Sequence, residues 1–122
     1  MNAPLWIGVA AFGGVAATLR FLVDGAVSRR IDGGFPWGTL AVNLSGAFVL
    51  GILTGLALSD PAALVAGTAV VGSYTTFSTW MLETQRLAEE GEVAPPAANL
   101  LISPALGMAL AAAGWALGSV LA

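Results

Sequence analysis

Cysteine, histidine and lysine are absent from this 122-residue chain. Their absence excludes disulfides, thiol and imidazole catalysis, His/Cys metal sites and the lysine of a phosphate-binding loop. Charge of either sign is scarce: 9% of residues are charged, against about a quarter in a soluble domain. Enzymatic chemistry has almost nothing to work with, and we expect no enzyme. The acids Asp24, Asp32, Asp60, Glu83, Glu89, Glu90 and Glu92 lie outside or at the edges of the apolar runs. The pI near 4.4 therefore reads as solvated loop charge rather than as a binding surface.

What the chain has in excess is apolar surface: 57% of residues are hydrophobic and the mean hydropathy is +0.88, which defines an integral membrane protein. A hydrocarbon core about 30 Å thick needs about 20 apolar residues per helix. Stretches of that length fall at 5–23, 37–58, 62–82 and 97–122. The expected fold is a single all-α domain, 1–122, of four transmembrane helices. A short link, Ser59-Asp60-Pro61, joins spans two and three, and polar loops occupy 24–36 and 83–96. No basic residue precedes the first span, so it is expected to be retained rather than cleaved as a signal peptide.

Small residues recur along the helices. Thr39, Asn43, Ala47, Gly51 and Gly55 follow one another every four residues in span two and so form one stripe. Span four carries Ser103, Gly107 and Ala111, then Gly114 and Gly118; span one carries Ala10, Gly14 and Thr18. Such stripes let helix backbones approach closely in lipid, within or between subunits. Asn43 stands out, because a carboxamide among Ala, Val, Leu and Gly must find partners. It serves either a polar pathway or a helix–helix hydrogen bond.

The densest signal is the run Gly72-Ser73-Tyr74-Thr75-Thr76-Phe77-Ser78-Thr79-Trp80, hydroxyls and aromatics inside an apolar span. Short hydroxyl side chains compete for backbone hydrogen bonds, so the helix is expected to break between Gly72 and Thr79 and to free carbonyls able to coordinate a small cation. Gly72 and Thr75 are the candidates. Beyond the break, Phe77 and Trp80 share a face, with Thr76 and Thr79 alongside. Spans two to four contain no charged residue, whereas cation carriers generally use an intramembrane carboxylate, so the better solute is an anion. Hydroxyls, carboxamides and aromatic edges replace an anion's water, which nominates Asn43, Phe77, Ser78, Thr79 and Ser103, with Thr39 and Trp80 on neighbouring positions. Arg20 either gathers anions at a vestibule or snorkels to the interface.

These residues resemble the small fluoride channels of the Fluc (CrcB) family over essentially the whole chain. The matching motifs are Gly13-Gly14 with Ala17-Thr18-Leu19-Arg20; Gly38-Thr39-Leu40-Ala41-Val42-Asn43-Leu44-Ser45-Gly46; and Gly72-Ser73-Tyr74-Thr75-Thr76-Phe77-Ser78-Thr79 followed by Glu83. The resemblance implies a fluoride-selective channel in the cell membrane that lowers cytoplasmic fluoride by passive export. It also implies an antiparallel dual-topology dimer with two pores and a third helix broken near the membrane midplane. A structural, untransported Na+ would be held by the main-chain carbonyls of Gly72 and Thr75 from both subunits. The family's pore asparagine falls on Asn43, its first pore phenylalanine on Phe77 and its span-four serine on Ser103. Where many relatives carry a second pore phenylalanine, this chain has Trp80.

Loops one–two and three–four hold Arg29, Arg30 and Arg86, with Arg20 nearby, and the opposite side has no basic residue. The positive-inside rule then places the termini outside. Such a bias suits one half of a heterodimer with an oppositely oriented paralogue, as the alternative to a homodimer. Two other classes compete: a small cation or guanidinium exporter, which requires a carboxylate within span one where this chain has only Asp24 at its end, and a non-transporting membrane scaffold, which leaves the hydroxyl-rich run unexplained.

Overall fold

A computed structural model of the chain describes residues 3–31, 35–91 and 93–122, without the side chains of Pro61, Ala62, Leu64, Ala66 and Ser78. Asp32 and Glu92, two of the acids assigned to loops, lie outside the described residues. Regular structure among the described residues is entirely helical: α1 (Ala3–Arg30), α2 (Trp37–Gly55), α3 (Pro61–Tyr74), α4 (Phe77–Glu89) and α5 (Ala94–Leu121). At 1.5 Å per residue, α1 and α5 are each about 42 Å long and α2 about 29 Å. These three are long and apolar enough to cross a membrane, and the chain is a multi-pass membrane protein. α3 and α4, with 14 and 13 residues, are each about 20 Å long.

Two helices run on into segments that the sequence marks as polar loops. α1 continues to Arg30: Ser28 donates to Asp24 Oδ1 one turn back (3.2 Å), and Arg29 and Arg30 occupy the last turn, where a positive charge complements the helix dipole. α4 continues to Glu89, with Gln85 donating to Glu89 (3.1 Å) and Arg86 lying 4.0 Å from Glu90. It is two-faced, with Leu87 buried while Gln85, Arg86 and Glu89 are exposed. α2 ends in a tight turn in which Ala57 takes a left-handed φ of 52°.

α2 is the most enclosed helix and packs on α1, α3 and α5. Its closest partner is α5, and the glycine stripes explain the approach. A Cβ built on Gly51 or Gly55 would run into the carbonyl oxygens of Ala111 and Trp115; one on Gly114 or Gly118 would run into those of Phe48 and Ile52. Each helix thus presents a glycine pair to the other's backbone. The third stripe is used differently. Ala10, Gly14 and Thr18 are exposed, and Gly14 has nothing within 4 Å. Its neighbour Gly13 makes the contact instead: a Cβ there would lie 3.0 Å from Ser73 Oγ on α3. α5 passes through Pro104 without ending, as membrane helices allow when neighbours satisfy the freed backbone.

Candidate functional site

The hydroxyl-rich run holds the break. α3 stops at Tyr74, Thr75 and Thr76 are non-helical, and α4 starts at Phe77. Its two sides end differently. Thr75 closes α3, its N–H and its Oγ1 both donating to the Val71 carbonyl at 3.0 Å. Thr76, in extended conformation, caps α4: its Oγ1 accepts from the Thr79 N–H (3.2 Å) and donates to Thr79 Oγ1 (3.1 Å). The motif on α2 forms the seat. Asn43 takes the Thr76 N–H on Oδ1 (2.8 Å) and donates from Nδ2 to the Thr76 carbonyl (2.9 Å). One turn on, Gly46 admits the Thr75 methyl group where any side chain would collide, and Ser45 Oγ meets Tyr74 Oη at 2.9 Å.

This bonding takes two donors out of the helical ladder. In a continuous helix the Thr76 N–H would bond the Gly72 carbonyl and the Thr79 N–H the Thr75 carbonyl. Asn43 takes the first donor and the Thr76 hydroxyl takes the second. Neutral main-chain oxygens of this kind suit a hard monovalent cation. Gly72 itself is exposed with open space around it, so its face is accessible to a second chain.

Asn43, Thr75, Thr76, Phe77 and Trp80 line a common groove of about 310 Å³, closed on the α2 side by Leu50 among others. Phe77 and Trp80 meet edge to face, their ring centroids 5.4 Å apart and their planes at 70°. Phe77 is 70% exposed, so most of its ring is left uncovered by its own chain. The remaining candidates lie around this groove rather than in it. Thr39 is buried and donates to Glu83 on α4; Thr79 is engaged in the cap; Ser103 donates to Asn99 Oδ1 (3.3 Å); the Ser78 side chain is outside the described residues. Arg20 sits within α1, half-buried, and its Nε has no hydrogen-bond partner among the described residues. A second, polar cavity of about 390 Å³ is shared by Asp24, Ser28, Trp37, Glu83 and Arg86. It brings together the end of α1, the start of α2 and the second half of α4. Thr39, through Glu83, and Asn43 one turn further connect this cavity's edge to the groove.

Sequence reasoning passed over Asn99. It is 1% exposed and ties α5 to α4, donating to Thr84 Oγ1 (2.8 Å) and to the Trp80 carbonyl (3.4 Å). Trp80 Nε1 donates in return to the Asn99 carbonyl (2.9 Å). The signal was available, since a lone carboxamide near the start of an apolar span must be satisfied by something. It was masked by the neighbouring prolines and by the loop assigned to 83–96.

The site defines a class: an all-helical membrane protein whose interrupted helix is pinned by an asparagine beside an open groove of hydroxyls and aromatics. Comparison with known proteins is consistent with that class. The family model described as CrcB-like protein, Camphor Resistance (CrcB), matches residues 7–115, and the chain belongs to the CrcB family. Among curated relatives, Fluoride-specific ion channel FluC 2 of Mycolicibacterium paratuberculosis is 63% identical over 110 residues, 90% of each chain. A protein of the same name from Mycobacterium bovis is 54% identical over 114 residues, covering 93% of this chain and 90% of its own length. Fluoride-specific ion channel FluC 1 of Streptomyces avermitilis is 44% identical over 113 residues, covering 89% and 91%.

Proposed function

We infer that this chain is a fluoride-selective ion channel of the cell membrane, one that relieves cells of fluoride by passive efflux. The observation that carries the reading is the 63% identity, over 90% of both chains, to a relative named as a fluoride-specific channel. The geometry supports it. After giving one N–H to Thr76, the Asn43 carboxamide nitrogen retains a second, and Phe77 and Trp80 border the same groove. Such donors replace the water of a small, strongly hydrated anion. Fluoride enters acidified cells as the neutral acid and ionises inside, so a selective anion leak driven by membrane potential suffices.

In this reading α3 and α4 together form one discontinuous span, giving four, and a second chain packs antiparallel against the open groove and the exposed Phe77. The Gly72 and Thr75 carbonyls of both chains would hold a structural Na+, whose charge clamps the two breaks together. The partner is an identical chain or an oppositely oriented paralogue. Arg29, Arg30 and Arg86 favour the paralogue, and relatives carry both FluC 1 and FluC 2 names. Reporter tags on the terminus test this: a single orientation is expected for a heterodimer, and equal populations facing each side would leave the homodimer.

The deciding experiment is fluoride efflux from liposomes, recorded with a fluoride electrode after valinomycin is added to a potassium gradient, with chloride for comparison. Fast fluoride-only efflux is expected from the chain alone or after addition of the oppositely oriented paralogue. No efflux in either case would leave the scaffold reading. Trp80→Phe is expected to keep efflux within about threefold of native, because the indole N–H is already committed to Asn99 and the ring is what the groove meets. A native chain without flux that regains it in Trp80→Phe would show instead that the indole's bulk blocks the path.

A further inference from the structure

Trp80 and Asn99 hold each other reciprocally. The indole N–H donates to the Asn99 carbonyl at 2.9 Å, and the Asn99 carboxamide donates to the Trp80 carbonyl at 3.4 Å and to Thr84 Oγ1 at 2.8 Å. Thr84 Oγ1 completes the loop by donating to the Trp80 carbonyl at 2.8 Å, and Ser103 Oγ donates to Asn99 Oδ1 at 3.3 Å. Every polar atom of the buried carboxamide is used, and all but one of its bonds converge on Trp80 or on the residue one turn beyond it. The carboxamide closes around the residue whose ring borders the groove and stands edge to face with Phe77.

We propose that Asn99 is a positioning residue that locks the Trp80 indole against α5, so that its N–H is withheld from the groove and only its ring faces the permeating anion. The side chain sets the axial register of α4 against α5 at the place where the indole nitrogen meets the Asn99 carbonyl. The lock accounts for a tryptophan at this position: with its donor committed, the side chain presents an aromatic ring to the groove much as a phenylalanine does. Ser103 acts one step behind, orienting the carboxamide oxygen. The inference rests on the fluoride-channel reading for its consequence for flux, and on the hydrogen-bond loop alone for the state of the indole.

The test uses the full chain, purified with uniformly ¹⁵N-labelled tryptophan. Its four indole N–H resonances, from Trp6, Trp37, Trp80 and Trp115, are recorded in detergent, and Trp80→Phe identifies the one that belongs to Trp80. In Asn99→Ala and in Thr84→Val the Trp80 resonance is expected to shift and to exchange with water at least about tenfold faster, while the other three stay in place. Thr84→Ser, which keeps the hydroxyl, is expected to match the native spectrum. An unmoved Trp80 resonance in both disrupting variants overturns the proposal. So does an equal shift of all four, which marks a general loss of packing. Fluoride efflux supplies the second readout: Asn99→Ala lowers the rate several-fold in the native background but causes no further loss in Trp80→Phe. Equal losses in both backgrounds overturn the positioning role. Absence of efflux from the native chain with and without the oppositely oriented paralogue, and from Trp80→Phe, fails the channel reading, and the indole spectra then decide the lock by themselves.

Discussion

Asn43→Ala is expected to cut fluoride efflux at least ~100-fold while the protein still purifies as a folded species. The side chain makes two hydrogen bonds to one residue, accepting from the Thr76 N–H and donating to its carbonyl. With alanine, both hydrogen bonds to Thr76 are lost, each worth about 0.5–1.5 kcal/mol. The segment has a way out: the Thr76 N–H can return to the Gly72 carbonyl and join α3 to α4 as one helix, the default for backbone in a membrane. A bias of ~3 kcal/mol towards that joined form is about a hundredfold in population, and the groove donor is lost as well. Asn43→Asp separates the two contributions. Its carboxylate still accepts from the Thr76 N–H, which favours the break, but it has no N–H to give and its charge repels an anion. Efflux is therefore expected to be lost with the break retained. Liposome efflux and the hydrogen exchange of the Thr76 amide measure both outcomes, and efflux from Asn43→Ala within threefold of native would refute the argument.

Gly51→Val or Gly114→Val is expected to leave little or no folded protein. Overpacking a core usually costs about 1–3 kcal/mol, because neighbouring side chains turn aside. Here a new Cβ meets the Ala111 carbonyl in the first case and the Phe48 carbonyl in the second. Backbone atoms have no rotamer to escape to, so the helices must separate and give up the close contact on which their association in lipid depends. The cost should exceed ~3 kcal/mol out of a typical total of about 5–15. Gly107→Ala on the same helix is the control. Nothing lies within 4 Å of it, and alanine in a helix is favoured over glycine by about 0.8–1.0 kcal/mol. Size-exclusion profiles in mild detergent distinguish the cases: a monodisperse peak for Gly51→Val would show that α2 and α5 tolerate a wider separation.

The two variants probe features of unequal visibility in the sequence. The glycine pairs Gly51/Gly55 and Gly114/Gly118 were legible as close-packing stripes, because four-residue spacing places them on one helix face whatever the tertiary structure. Which stripe meets which was not: α2 and α5 use theirs on each other, whereas Ala10, Gly14 and Thr18 remain uncovered within the chain. The break was legible as a region from the density of hydroxyls. Its position at Thr75–Thr76 follows from competition for particular N–H groups, won by Asn43 and by the Thr76 hydroxyl, and that competition involves residues 33 positions apart.

Composition alone determined that this is a membrane protein with almost no acid–base chemistry, since so apolar a chain with so few charges is soluble only in lipid. Local pattern determined where the apolar helices, the region of the interruption and the small-residue faces lie, because these depend on neighbours within a turn or two, but not how far α1 and α4 run. Tertiary structure decided the rest. It gave Asn43 to the Thr76 backbone, drew Thr39 to Glu83, and joined Trp80, Thr84 and Ser103 through Asn99. Each of these turns on where a polar group finds its partner once water is gone, and for Asn43, Thr39 and the Asn99 carboxamide nitrogen that partner lies beyond its own helix.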